Sequence, residues 1–440
     1  MRIITPAQLL SRIRPGREAC PPDVADAPTI DELHNGRLLR FDAPFTSLAF
    51  GVANFYALFA IQLGASNAVI GWLSSGPALV NLFGVIPNMA IIQRSKSYAY
   101  TMVAGGLGHR LLVAAIAIVP LLPTAWRAAA LVVLVTLGSL PATLWGLSFH
   151  TSSGEMFAPR HRARYIGQRW AIANITGTVG LYALGLFVDA IHFPSNFQFL
   201  FLGVGVVTMS SMALIARMRM PPRPPLDRTP ASERVSLASL RRLASQHRSF
   251  VLFEIAVLFA YTAVFFSNPV FRIFWVRDLG ASGAWIGALT AAFAIGATAG
   301  NLVWGRVSRT DRDRLITTAC AAGVMALYPV LTAVSRSLWP VAGVMALSGF
   351  FSAGNDLMIF NRVVSISPRQ GRPAFISAHN VTSNIAGFIA PLISTALSDA
   401  WGARFTLLAG AALGVLGTAL LYLLGWGRPA IPQDADYGSS

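Results

Sequence analysis

"LGASNAVIGWL" (Leu63–Leu73) and "LGASGAWIGAL" (Leu279–Leu289) stand 216 residues apart and agree at eight of eleven positions. Such a recurrence marks two copies of one long unit rather than a local motif. The copies can be followed further. "PRHRARYIGQRWAIANITG" begins at Pro159 and "PRQGRPAFISAHNVTSNIAG" at Pro368. At an offset of 210, Arg162 matches Arg372, Ile166 matches Ile376, Asn174 matches Asn384, Gly177 matches Gly387 and Asp189 matches Asp399.

The repeated unit is apolar. Of the 440 residues 54% are hydrophobic and 12% charged, too few charges for a soluble domain of this length. The apolar residues fall into twelve blocks of helix-spanning length: 41–62, 68–92, 98–122, 127–157, 165–189, 197–217, 250–272, 284–306, 313–334, 338–362, 374–398 and 404–426. Six precede and six follow a Pro- and Arg-rich stretch, "RMRMPPRPPLDRTPASERVSLASLRRLASQHR", which reads as a linker. The expected organisation is an all-α membrane protein. It has a tail (1–40), a six-helix bundle (41–217), the linker (218–249), a second six-helix bundle (250–426) and a second tail (427–440). Six spans return the chain to its starting face, so the copies are parallel, related by an axis along the membrane normal.

The formal charge of +16 is not gathered into a stripe with interleaved aromatics, so nucleic acid is not an expected partner. With the N-terminus placed in the cytoplasm, 28 Lys and Arg fall on that side and five opposite (Arg127, Arg272, Arg277, Arg336, Arg404); Arg110, inside a span, completes the 34. By the positive-inside rule both termini are expected to be cytoplasmic. Cys20 and Cys320 give neither a disulfide framework nor a metal site, and the first residues lack the apolar stretch of a cleaved signal.

The 6+6 layout, the basic central loop, the "LGAS…IG" phrase leading into spans 2 and 8, and the basic loops after spans 2, 4, 8 and 10 together resemble the major facilitator superfamily (MFS) over roughly residues 40–426. The resemblance implies the MFS fold and secondary transport by alternating access. It also implies that spans 1, 4, 7 and 10 line a central cavity, and it favours a prokaryotic inner membrane. The family's Gly-Asp-basic loop after span 2 is changed here to "PNMAIIQRSKS", and in the second half to "GRVSRTDRDR", which keeps Gly305 with the acids moved to Asp311 and Asp313. After span 4, "GEMFAPRHRARYIG" is similar to the family's acid-Pro-basic loop. It implies a gate in which Glu155 latches to Arg162 or Arg169, with Arg164 beside them.

Polar residues recur at helical spacing in the four expected cavity spans. These are Ser47, Gly51, Asn54 and Gln62 in span 1; Ser139, Thr143, Gly146 and His150 in span 4; Glu254, Tyr261, Phe265 and Asn268 in span 7; and Ser348, Ser352 and Asn355 in span 10, with Asp356 adjacent. An ionisable group inside a span costs roughly 2.5–3.5 kcal/mol on insertion scales, which makes each a site candidate. Asp356 is the first choice: a carboxyl in a low-dielectric cavity suits proton coupling, the alternative being a structural pair with Arg362. Asn355, Asn54, His150, Glu254, Tyr261 and Asn268 complete the candidate substrate or coupling set. Arg110, in the middle of span 3, is expected to turn inward onto carbonyls, an amide or an acid, as an anchor or, less simply, an anion ligand.

Two classes of function remain. The first is a secondary active transporter for a small solute, with protons as the candidate coupling ion. The second is an MFS-fold membrane protein acting as a sensor, assembly factor or lipid-handling protein. No phosphate loop accompanies the single Lys96, and no His-Glu-x-x-His or Gly-x-Ser-x-Gly is present, so an enzyme is not expected and neither is a cofactor or metal.

Overall fold

The computed structural model describes residues 28–95, 97–220, 247–307, 313–367 and 372–425. The expected tails, apart from the first tail's last residues, lie outside the described residues, as do most of the linker, Cys20, Lys96 and Asp311. Twelve helices long and apolar enough to cross a membrane are present among the described residues. We number them α1 (Ile30–Gln62), α2 (Asn67–Arg94), α3 (Tyr98–Leu121), α4 (Thr124–Met156), α5 (Pro159–Ala190), α6 (Ser195–Ala216), α7 (Arg248–Asp278), α8 (Gly283–Val307), α9 (Arg314–Val334), α10 (Leu338–Ile366), α11 (Arg372–Trp401) and α12 (Ala403–Leu424). A helix satisfies its own backbone, which is why a chain this apolar resolves into helices.

The two "LGAS" phrases are helix-to-helix hinges. Gly64 and Gly280 take the left-handed conformation (φ 78° and 67°), which is inexpensive for glycine, and end α1 and α7. The Ala65 amide closes back on the Ala60 carbonyl at 3.0 Å, and Ala281 on Trp275 at 2.8 Å. One residue further on, Ser66 precedes α2 in extended backbone.

Two helices start or end where the apolar pattern does not. α1 begins at Ile30, eleven residues before the expected span, because Thr29 and Glu32 form a reciprocal capping box there. α7 continues past residue 272 through a π-helical turn to Asp278. Arg272 is therefore inside a membrane helix and not in a loop.

The halves meet along two seams, α2 against α11 and α5 against α8. At the α5–α8 seam a side-chain carbon on Gly185 would strike the Gly283 carbonyl, and one on Gly287 would lie 2.6 Å from the Leu181 carbonyl. Small residues let these backbones touch. The buried apolar clusters then divide by depth. Near the face carrying the "LGAS" turns, one cluster draws on both halves, among others Phe55, Phe59, Ile70 and Phe197 with Val270, Phe274 and Leu289. Near the other face, which bears the basic loops, the halves have separate clusters. The first half gathers Leu39, Met102, Phe149 and Met212, with a smaller group of Ile92, Tyr98 and Leu144; the second gathers Phe253, Val257, Val363 and Leu421. The molecule is fused at the turn face and divided at the basic face.

Candidate functional site

In the first half, polar groups within the spans find one another. Asp42 of α1 and Arg169 of α5 form an ion pair of 3.5 Å whose side chains are 0% and 1% exposed. Thr46 donates to the same Asp42 oxygen at 2.9 Å. Arg110, from α3, donates to Thr46 Oγ1 (3.5 Å), Ser211 Oγ (3.3 Å) and the Gly106 carbonyl (3.1 Å). Two guanidiniums are thus grouped around one carboxylate. The Arg169 guanidinium also lies 4.3 Å from the Phe149 ring centroid and 5.6 Å from that of Trp145, so its positive charge faces ring electrons. The sequence pattern misses Asp42 because the apolar block starts at residue 41, which puts Asp42 at the membrane edge. The capped helix carries it inside.

This network corrects the expected gate. Arg169 is sealed against Asp42 and takes no part at the mouth. Glu155 is exposed and accepts from Tyr98 Oη at 3.1 Å. Arg162 donates to the carbonyls of Gly154 and Phe157, where the end of α4 leaves acceptors unpaired. Arg164 is exposed. No latch between Glu155 and Arg162 is made in this conformation.

The second half holds an equivalent pair of a different chemical kind. His379 of α11 lies 3.1 Å from Glu254 of α7 through Nδ1, the side chains being 13% and 11% exposed. Its Nε2 is 3.4 Å from Tyr261 Oη. A neutral imidazole protonated on Nδ1 donates to Glu254 and accepts from Tyr261; a second proton makes an imidazolium beside a carboxylate. Asp356 is exposed, accepts from Asn355 Nδ2 at 3.5 Å, and stands close enough to Tyr261 to act on it electrostatically. The repeat offset of 210 relates Arg169 to His379. In each half, the fifth helix supplies a base to an acid on the first. His379 is the residue that composition passes over; its repeat position, opposite Arg169, is the signal that marks it.

A cavity of about 320 Å³ lies among the helices of the second half, closed on one side by the first. Asn54 reaches it from α1; the rest of the lining is α7 to α10, including Asn268, Arg272, Thr290, Ser348 and Ser352. Of the four expected cavity helices, α1, α7 and α10 contribute and α4 does not. Thr143 instead donates to Asn81 of α2 at 2.6 Å, Ser139 donates to its own helix, and His150 is exposed outside the lining. Glu254, Tyr261, Asn355 and Asp356 likewise stand outside it, Asp356 one helical turn beyond Ser352. Among the described residues no three His, Cys, Asp or Glu gather as a metal site would need.

Hydrogen bonds crossing between halves gather at the turn face. Asn67 Nδ2 donates to Asp399 at 2.7 Å. The amides of Gly283 and Ala284, the first residues of α8, each donate to Asp189 at 2.7 Å. There the carboxylate meets the positive end of a helix. Arg277 donates to the Ala65 carbonyl at 2.6 Å. Asp189 and Asp399 are the pair already matched by the repeat, so the two seams are pinned by equivalent residues.

Twelve described spans in two parallel repeats, pinned at one face, set out the fold. A family model described as Major Facilitator Superfamily matches residues 253–436. By sequence the second half is thus similar to this family, and similar structures extend the likeness of fold to the whole chain. The structure is similar to that of the nucleoside transporter NupG (TM-score 0.68, 12% identity, 88% of this chain and 99% of that one). It is also similar to a bacterial homologue of the human lysosomal transporter Spinster in an inward-facing, unoccupied conformation (0.64, 14%, 90% and 97%). A third similar structure is a D-xylose-proton symporter (0.61, 12%, 90% and 96%). No curated protein matches the chain in sequence.

Proposed function

We propose that the chain is a secondary transporter that carries a small solute across the membrane by rocking its halves about the central cavity, coupled to protons. The observation that carries the reading is the division of the core: one apolar cluster shared by both halves at the turn face, and the others each confined to one half. That is the form of one end state of alternating access. The excess of Arg on the basic face supports a cytoplasmic setting for it and for both termini, in a prokaryotic inner membrane, which makes the conformation inward-facing. With Arg272 well inside α7, the opposite face keeps Arg127, Arg277 and Arg404 at helix ends and Arg336 in a turn, which strengthens the asymmetry.

Coupling is assigned to the second half because its base is an imidazole and not a guanidinium. Asp42–Arg169 pairs a carboxylate with a guanidinium that holds its proton at any physiological pH. Glu254–His379 pairs one with an imidazole, which can take up or give up a proton at its second ring nitrogen. Asp356 and Tyr261 extend this cluster toward the cavity. Among the similar folds the D-xylose symporter uses protons, which agrees with the reading.

The test is reconstitution of the full chain in liposomes with a trapped pH dye, screened over a broad solute library. The parent should move protons on addition of its solute. Glu254→Gln and Asp356→Asn should lose proton movement while keeping solute counterflow. Solute flux with no proton movement in the parent removes the coupling assignment. Binding of a solute that never crosses the bilayer removes transport itself.

A further inference from the structure

The cavity lining carries one formal charge. Arg272 is its only ionisable cation, and no Asp or Glu is among the lining residues. It sits six residues before the end of α7, about 9 Å inside at ~1.5 Å rise per residue. Other arginines of the spans are engaged: Arg169 by Asp42, Arg110 by Thr46, Ser211 and a carbonyl, and Arg362 by the Gly425 carbonyl at 2.8 Å. Among the described residues the Arg272 guanidinium has no hydrogen bond and no ion pair. Asp278, on the same helix, is exposed at the turn face, and Glu254 lies 18 residues away along α7, about 27 Å.

A second group in the lining is also without a partner. Trp275, one turn from Arg272, is 7% exposed, and its indole Nε1 is buried with no hydrogen-bond partner. An indole N–H can donate but not accept, and the same is true of a guanidinium. The amides and hydroxyls of Asn268, Ser348 and Ser352 can add further donors. Beside them the wall is aromatic: Phe271 stacks on Tyr328 with centroids 4.1 Å apart.

We propose that this cavity is the binding site for a small organic monocarboxylate, with Arg272 as its counter-charge. The proposal rests on the transport reading above and names the substrate class of the same site. A fork of donors on a planar cation matches a carboxylate in geometry as well as charge. One cation against one anion leaves no excess, whereas a phosphate dianion would bring a second negative charge that the lining does not balance. The volume lies at the small end for ligand sites, and the aromatic wall suits a short apolar or aromatic body.

The experiment is calorimetric titration of the purified full chain with acetate, lactate and benzoate beside acetamide, lactamide and benzamide. Arg272→Gln and Arg272→Lys are compared with the parent after size-exclusion chromatography has established that each is folded. Expected is a preference of about tenfold or more for at least one carboxylate over its amide, abolished by Arg272→Gln and retained in part by Arg272→Lys. Equal binding of acids and amides, no binding of any acid at millimolar concentration by the folded parent, or a preference unchanged in Arg272→Gln overturns the proposal. Counterflow of the same probes in liposomes separates the two readings. A carboxylate that binds through Arg272 but does not exchange supports the site and sinks transport. Exchange of amides but not of acids sustains transport and overturns the anion site.

Discussion

Asp42 stands between two guanidiniums, and that position sets a ranking of substitutions. Removing Asp42 leaves Arg110 and Arg169 as like charges in a dry interior, whereas removing Arg169 leaves Asp42 with Arg110 still beside it. Breaking a buried pair by one partner costs roughly 3–5 kcal/mol. Asp42→Asn should fall in that range and Arg169→Met clearly below it, measured as loss of thermal stability in detergent; the reverse order would show that Arg110 does not sense Asp42. The second-half pair should respond differently. His379→Gln keeps a hydrogen bond to Glu254 but removes the imidazole. Solute exchange should persist while its dependence on pH between about 5 and 8 flattens. An unchanged pH profile would move the coupling proton to another residue.

At the scale of elements, the seams are where sequence was most and least informative. The repeated "LGAS" could be recognised as a repeat, but its meaning as a left-handed glycine closing one helix and a serine preceding the next is a backbone property. Of the polar stripes of α1, α7 and α10, only Asn54, Asn268, Ser348 and Ser352 reach the cavity lining. The stripe of α4 misled because a face can be polar for a neighbour: Thr143 serves Asn81 of α2. Arg272 was misplaced because hydropathy drops at a cation even when the helix continues. The glycine contacts give an element-scale prediction. Gly287→Val should push α5 and α8 apart at the turn face, lower solute uptake at least severalfold, and make an Ala65→Cys probe reactive to an impermeant maleimide. In the parent background, where Ala65 is buried, the probe should stay protected. Protection in both would mean that the seam does not govern closure.

For the whole molecule, the fold was legible at the level of count and copy: twelve spans in two parallel repeats. The depth at which the copies separate was not, since it depends on which apolar surfaces meet across the seams. Rocking predicts opposite changes at the two faces. Spin labels at His150 and Phe360, on α4 and α10, should approach one another when solute and a proton gradient are supplied. Labels at Ala65 and Leu279 should move apart in the same sample. Parallel changes at both faces would indicate breathing of the bundle rather than alternation.

The pins at the turn face also govern what comparison among relatives can reveal. Asn67 and Asp399 join two side chains, so a substitution at one can be answered by a substitution at the other. Asp189 holds two backbone amides and Arg277 a backbone carbonyl, and backbone atoms are the same whatever residue mutation supplies. A survey of correlated substitutions should therefore report the α2–α11 pin and pass silently over its twin at α5–α8. Half of this closure is held by atoms that natural selection cannot edit in pairs.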